Sequence, residues 1–275
     1  MGNRPTRAIP VRDLEQSLRF YTERLGFRLV TRYPDAAHLE TPAGHVLLAG
    51  PSAGDLANYL APHGTAVRPG AVLYFFTPDL DATARGLPEA VLVRTDWGER
   101  KLELPDPDGY TVSFWTENDL TPEQALALFR SAPERLEAAL EGLTEAQLDL
   151  ARAPGKWSIR QIVHHMTDSA VGAIAGLRYA IAEPGRLYRP NPYSPDAWDE
   201  GLHSHRRPVG PSVALFRAVH EHLVQLIEYV PGALERYTVN EAGTKMTVGR
   251  MVGMLACHAA GHTEQIWETR RVHGI

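Results

Sequence analysis

Lys156-Trp157-Ser158-Ile159-Arg160-Gln161-Ile162-Val163-His164-His165-Met166-Thr167-Asp168-Ser169 opens a helical pattern that continues to about Glu183, where Pro184-Gly185 ends it. Ser158 stands at the N-cap, where a hydroxyl satisfies an otherwise orphaned backbone N–H. The two adjacent histidines fall on different faces. His165 lines up with Ile162, Ser169, Gly172 and Gly176, a face of small residues suited to close helix approach, so His165 should point inward. His164 shares its face with Arg160 and Asp168, which reads as solvated, with an i, i+4 contact to Asp168 as its expected fate.

Working outward, three more long helices flank this one. Thr121-Pro122-Glu123-Gln124 places an N-cap, an N1 proline and an N3 glutamine in order, and Leu126, Phe129, Leu136, Leu140 and Leu143 follow on one stripe. Pro133 should kink or split that helix. Another runs from about Ser212 to Val230 and stops at Pro231-Gly232, and the last begins after Thr247 and reaches about Arg271. Four long helices, with the long connection Arg186 to Gly210 between the second and third, indicate an all-α four-helix bundle.

The last helix contains Cys257-His258-Ala259-Ala260-Gly261-His262-Thr263-Glu264-Gln265-Ile266. His258 and His262 leave one face about 6 Å apart along the axis, beside Met251, Leu255 and Ile266. Two imidazoles in an apolar stripe are costly unless their nitrogens are satisfied, and a divalent metal satisfies both. With His165 as a third ligand, the set matches an open, catalytic type of centre rather than a closed structural one. Asp168 and Glu264 are candidate general bases or partners of the ligands. Cys257 lies about 100° around the helix from His258 and reads as a small buried apolar residue. His203, His205, His220, His222 and His273 read as surface residues.

Before Asn118 the pattern changes to short β-rich runs: Arg28 to Thr31, Ala37 to Glu40, His45 to Ala49, Val72 to Thr77, Val91 to Val93, Lys101 to Leu104 and Tyr110 to Trp115. Two helices interrupt them, the clearer being Leu14 to Leu25, opened by Asp13 and closed by Gly26. The order reads β-α-β-β-β twice, an α+β domain of two such modules.

A chain of 275 residues suggests two domains. Apolar residues at 44% and charged residues at 22% are ordinary for a globular protein and exclude disorder, collagen and coiled coil. The longest apolar stretches fall far short of the roughly 20 residues of a membrane span, and nothing at the N-terminus resembles a signal peptide, so a cytoplasmic location is expected. The single cysteine allows no intramolecular disulfide and no all-cysteine metal site. The net charge of −5 leaves no basic excess for nucleic acid.

The two histidine-bearing segments resemble the DinB superfamily, and within it the YfiT-like metal-dependent hydrolases and bacillithiol S-transferases, over residues 121–273; the loop from Arg189-Pro190 to Glu200, with Trp198, shares the resemblance. It implies that His165, His258 and His262 hold a divalent ion, Zn or Ni. It also implies either hydrolysis or attack by a low-molecular-weight thiol cosubstrate on a small electrophile or xenobiotic. Residues 5–117 resemble the vicinal oxygen chelate superfamily of glyoxalases, dioxygenases and bleomycin-resistance proteins. The resemblance rests on Phe20-Tyr21 with Leu25-Gly26-Phe27, and on Asp106-Pro107-Asp108-Gly109. The metal-ligand positions of that family read Thr6, Val72 and Ser113, none a good ligand, which implies a metal-free, bleomycin-resistance-like domain. Trp97, Trp115, Tyr33 and Tyr74 are candidates to line its cleft, and His38 and His45 sit on neighbouring strand segments that a hairpin would bring together. The expected function is a metal-dependent enzyme acting on a small molecule and paired as a homodimer, without nucleic-acid or membrane partners. The alternative is a drug-sequestering protein with a non-catalytic metal site.

Overall fold

The computed structural model describes residues 5, 7–42, 44–60, 65–67, 70–95, 99–116, 120–190, 193–241 and 243–275; Thr6 and Trp97 lie outside them. The chain divides into two compact units, Met1–Glu117 and Asn118–Ile275.

The first unit runs β1 (Arg7–Pro10), α1 (Leu14–Arg19), β2 (Arg28–Tyr33), β3 (Ala36–Thr41), β4 (Gly44–Ala49), α2 (Gly54–Leu60) and β5 (Thr65–Ala66), then β6 (Val72–Phe76), α3 (Leu80–Gly86), β7 (Val91–Arg94), β8 (Arg100–Pro105) and β9 (Thr111–Trp115). The sheets have strand orders β2-β3-β4-β1-β5 and β6-β9-β8-β7. In each module the first strand pairs in parallel with the last, β1 with β4 and β6 with β9; β1 also pairs in parallel with the short β5, and the remaining ladders are antiparallel hairpins. Two βαβββ modules are therefore present.

The modules share a core in which Phe27 of the first packs its ring 4.9 Å from that of Phe75 in the second. A polar clamp joins them as well. Asp106 accepts from the backbone N–H of Asp108 and Tyr110 within the turn, and from the buried hydroxyl of Tyr21 at 2.8 Å. Gly109 closes that turn at φ +89, a conformation side-chain-bearing residues avoid. The helix read as Leu14 to Leu25 is α-helical only to Arg19. It continues as a π turn over Phe20–Arg24, with Leu25 N–H on the Phe20 carbonyl, beside the Tyr21 anchor.

The second unit comprises α4 (Pro122–Leu140), α5 (Ile159–Ala182), the short α6 (Pro195–Gly201), α7 (Gly210–Tyr229), a hairpin of β10 (Tyr237–Val239) and β11 (Lys245–Thr247), and α8 (Val248–His273). Helices α4, α5, α7 and α8 form the bundle, around buried Phe129, Leu136, Ile162, Val163, Leu223, Val252 and Ile266. Capping follows the sequence pattern. Thr121 and Ser158 each make a reciprocal capping box, with Gln124 and Gln161, and Thr247 caps α8.

Three expectations need correction. Helix α4 is not split at Pro133, which lies buried inside an unbroken helix; Phe129, Ala132 and Leu136 around it are core residues, and their packing outweighs one missing backbone bond. The small residues of α5 do not serve close helix approach. Gly172 has open space around its Cα, and a Cβ on Gly176 would stand 2.9 Å from the Tyr188 ring of the following loop. Helix α7 begins at Gly210, earlier than Ser212, which places the Ser212 hydroxyl inside the helix and against α5. No helix among the described residues is long and apolar enough to cross a membrane.

Candidate metal centre

Helix α5 supplies His165, and α8 supplies His258 and His262. The candidate ligand nitrogens of the three all lie within 4.8 Å of one another. The Nε2 atoms of His165 and His258 are 3.0 Å apart, and the three ring centroids are separated by 4.5–5.0 Å. All three rings are half-buried in the bundle.

The outward nitrogens of two rings are held. His262 donates its Nδ1–H to Oε1 of Gln265 at 3.1 Å, one turn along α8. His165 Nδ1 is hydrogen-bonded to the Tyr193 hydroxyl at 3.3 Å, which itself bonds Ser169 Oγ at 2.8 Å. The bond to the Gln265 oxygen places the His262 proton on Nδ1 and leaves its Nε2 lone pair facing the cluster, the tautomer a metal ligand needs, and the Tyr193 hydroxyl engages the same outward nitrogen of His165. Burial, and secondarily the His258 ring, pushes the His165 imidazole down to about 3. Burial and the two neighbouring rings hold His262 well below the ordinary histidine value. Three imidazoles converging on one point fit a borderline divalent cation such as Zn or Ni.

The mouth of the centre is aromatic. The Trp157 ring lies 4.8 Å from His165 and stacks at 6.2 Å on His262, and its Nε1–H donates to Asp196 Oδ1 at 3.1 Å. Tyr193 stacks on Trp198 at 4.1 Å. Asp196 and Trp198 belong to α6, so the connection between α5 and α7 folds back over the start of α5. Gln161 Nε2 donates to Asp199 Oδ2 at 2.6 Å in the same seam.

That fold-back overturns the reading of His164 as solvated beside Asp168. It is buried, with Nδ1 2.8 Å from the Ser212 hydroxyl and Nε2 3.2 Å from the Arg207 carbonyl, and points away from the three-histidine cluster. Its helix-face neighbour Arg160 is buried too, on Asp149, Glu145 and the Arg207 carbonyl. Asp168 is half-buried; burial raises its carboxyl pKa, against the pull of Arg207. Glu264 is exposed and ion-paired with Arg271 at 2.6 Å, outside the cluster. Cys257 is buried. His203, His205, His222 and His273 are exposed. His220 is not: it is buried between the Phe129 and Phe216 rings, at 4.2 and 4.0 Å.

Sequence reasoning passed over Gln265 and Tyr193. Gln265 had a signal in its i+3 spacing from His262. Tyr193 lies in a connection with no periodicity to read.

In the first unit, Val72 is half-buried and Ser113 fully buried, its hydroxyl 3.3 Å from Glu103 Oε1, so neither offers an imidazole or carboxylate. Tyr74 is exposed, and Tyr33 and Trp115 are half-buried. His38 and His45 meet, His38 Nε2 lying 3.0 Å from His45 Nδ1.

Residues 128–266 match the DinB superfamily profile, and the chain belongs to that superfamily. Residues 5–114 match the glyoxalase/bleomycin resistance protein/dioxygenase superfamily. Among relatives, a Geobacillus kaustophilus protein named "Putative metal-dependent hydrolase" is 26% identical over 154 residues, covering 55% of this chain and 85% of its own. A protein of the same name from Oceanobacillus iheyensis is 29% identical over 135 residues, covering 49% and 77%. YfiT from Bacillus subtilis, a solved structure described as "a probable metal-dependent hydrolase with an unusual four-helix bundle topology", is similar at TM-score 0.50 and 25% identity, covering 56% of this chain and 87% of that one.

Proposed function

We propose that the bundle is the catalytic half of a metal-dependent enzyme acting on a small electrophile, with His165, His258 and His262 holding a divalent ion. The observation that carries this reading is the convergence of three imidazoles, two of which have their outer nitrogens engaged by Tyr193 and Gln265. When bound, the ion supplies Lewis acidity that makes water or a thiol a nucleophile at neutral pH. Trp157, Tyr193 and Trp198 shield the mouth and offer flat apolar surface to the electrophile. Asp168, three residues beyond His165 and with a raised carboxyl pKa, is our candidate to hold a proton, whereas Glu264 is committed to Arg271.

Two nucleophiles fit. The names of the relatives support hydrolysis. The composition of the cluster supports thiol transfer, since among the described residues no carboxylate joins the three histidines, and a thiol needs less help from a general base than water does. The first unit, with aromatic Tyr74, Phe76 and Trp115 on one face of its second sheet, would bind the substrate or a related small molecule.

The test is to load the protein with Zn or Ni and supply monochlorobimane with and without bacillithiol, mycothiol or glutathione, beside a panel of esters and amides. Thiol-dependent turnover lost in His258→Ala establishes transfer; thiol-independent cleavage lost in the same variant establishes hydrolysis. No turnover across both panels, with tight drug binding by the protein, would overturn the enzymatic reading in favour of sequestration.

A further inference from the structure

The first unit holds a second pair of facing histidines that the bundle reading does not use. His38 lies on β3 and His45 on β4, where Glu40 pairs with His45 and His38 with Leu47, so the two imidazoles are diagonal neighbours on one face of the sheet. It is the face away from α1. Leu39, Val46 and Leu48 point into the core shared with α1, whereas Ala36, Leu47 and Ala49 form a small separate cluster on the histidine side.

The rings of this pair are disposed much like two of those in the bundle. His38 Nε2 is 3.0 Å from His45 Nδ1, with centroids 4.9 Å apart and planes inclined at 58°. His165 and His258 give 3.0 Å, 5.0 Å and 66°. Two nitrogens at 3.0 Å subtend roughly 90–95° at an ion about 2.1 Å from each, close to octahedral and within reach of distorted tetrahedral coordination. His38 is only 6% exposed, while His45 is half-buried, so one side of the pair is sheltered and the other open to solvent or a further ligand. Glu40, directly across from His45, adds negative charge to the neighbourhood, although its carboxylate is ion-paired with Arg28.

We propose that His38 and His45 form a second divalent-cation site, a two-histidine site for Zn2+ or Ni2+ completed by solvent. This site is distinct from the Thr6, Val72 and Ser113 positions, and it revises the expectation that the first domain is metal-free. Both of its ligands come from one hairpin, so its formation needs no part of the bundle.

The experiment uses the full chain and Zn2+ alone, titrated against a chromophoric chelator, with elemental analysis after gel filtration. The variant His165→Ala/His258→Ala should keep about one equivalent of Zn2+, and adding His45→Ala should remove it. In the otherwise unaltered chain, His45→Ala should lose one equivalent, as should His38→Asn. His45 is half-buried and close to the hairpin turn, so its variant is the one expected to stay folded by circular dichroism if the buried His38 replacement does not. Identical Zn2+ content with and without His45→Ala, in folded protein of both backgrounds, would mean that the two rings form only a neutral hydrogen-bonded pair, and the proposal would be overturned. Because each comparison changes His45 alone, its outcome is separable from any failure of the bundle assignment.

Discussion

The Tyr193 hydroxyl sits 3.3 Å from Nδ1 of His165, the nitrogen remote from the three-histidine cluster, and it is carried there by the connection between α5 and α7 rather than by a bundle helix. The position of that connection is therefore coupled to the tautomer of a candidate ligand. Tyr193→Phe keeps the stack on Trp198 but removes the hydroxyl that engages Nδ1 of His165. Loss of such a partner to a ligating histidine typically costs about 10–100-fold in metal affinity, and a drop of that order is expected in a chelator competition titration. Far-ultraviolet circular dichroism should be unchanged, and Tyr193→Ala should add a loss of order in the α6 segment, visible as faster proteolysis near Trp198.

The two adjacent histidines of α5 should separate cleanly. His165→Ala should remove the bundle's equivalent of metal, one fewer than the parent chain holds, with little change in stability measured in chelator. His164→Ala should leave metal content nearly unchanged but destabilise the bundle, because it removes a buried partner of Ser212 and of the Arg207 carbonyl. Leaving such groups unpaired costs about 1–3 kcal/mol. Metal loss in His164→Ala with retention in His165→Ala would reverse the assignment of the two helix faces.

His220 offers a test of pH dependence away from the candidate ligands. Its ring lies between Phe129 and Phe216, Nδ1 bonds the Phe216 carbonyl at 2.8 Å, and Nε2 is buried without a hydrogen-bond partner. Burial pushes its pKa down to about 4, against about 6.5 in the unfolded chain. The unfolded state therefore binds the proton first, so stability from this residue is complete above about pH 6.5 and falls as pH drops toward 4. That shift corresponds to about 3 kcal/mol at most. His220→Leu should raise the melting temperature at pH 7 by removing an unsatisfied buried acceptor, and the advantage over the parent should widen between pH 6.5 and 4. Thermal unfolding in chelator at four or five pH values measures it; a constant difference would show that His220 is not the titrating group.

Where the sequence proved legible, a local rule governed the outcome. Ser158, Thr121 and Thr247 announce helix starts through their own hydroxyls, and the i, i+4 spacing of His258 and His262 places both on one face whatever packs against it. His165 was legible because its face is apolar and its neighbour's is not. What escaped depends on the long connection folding back over the start of α5. Arg160 and His164 look solvated on an isolated helix, yet they become buried once Arg207 and Ser212 cover them. His220 escaped for a different reason, since its neighbours Arg217 and Glu221 lie on an exposed ion-paired face while its own ring turns into the core. The α1 segment shows the same limit in the first unit, where the Tyr21 bond to Asp106, 85 residues away, accompanies a π turn that no local pattern announces.

The second unit should fold and bind metal by itself. Its apolar core is built from Ala125 to Ile266, and His165, His258 and His262, with Tyr193, Ser169 and Gln265 beside them, all lie between residues 165 and 265. The three helix-starting caps are also internal to it, since the hydroxyls of Thr121, Ser158 and Thr247 accept from backbone N–H groups of their own first turns. A protein beginning at residue 119 should therefore give a helical circular dichroism spectrum with a cooperative melt. It should retain about one divalent ion after gel filtration, by the affinity expected of three converging imidazoles. Its melting temperature should rise on adding Zn2+ and fall on adding chelator, because an ion that binds only the folded form stabilises it by mass action. A folded but metal-free product would sink the three-histidine assignment, since nothing the assignment requires has been removed.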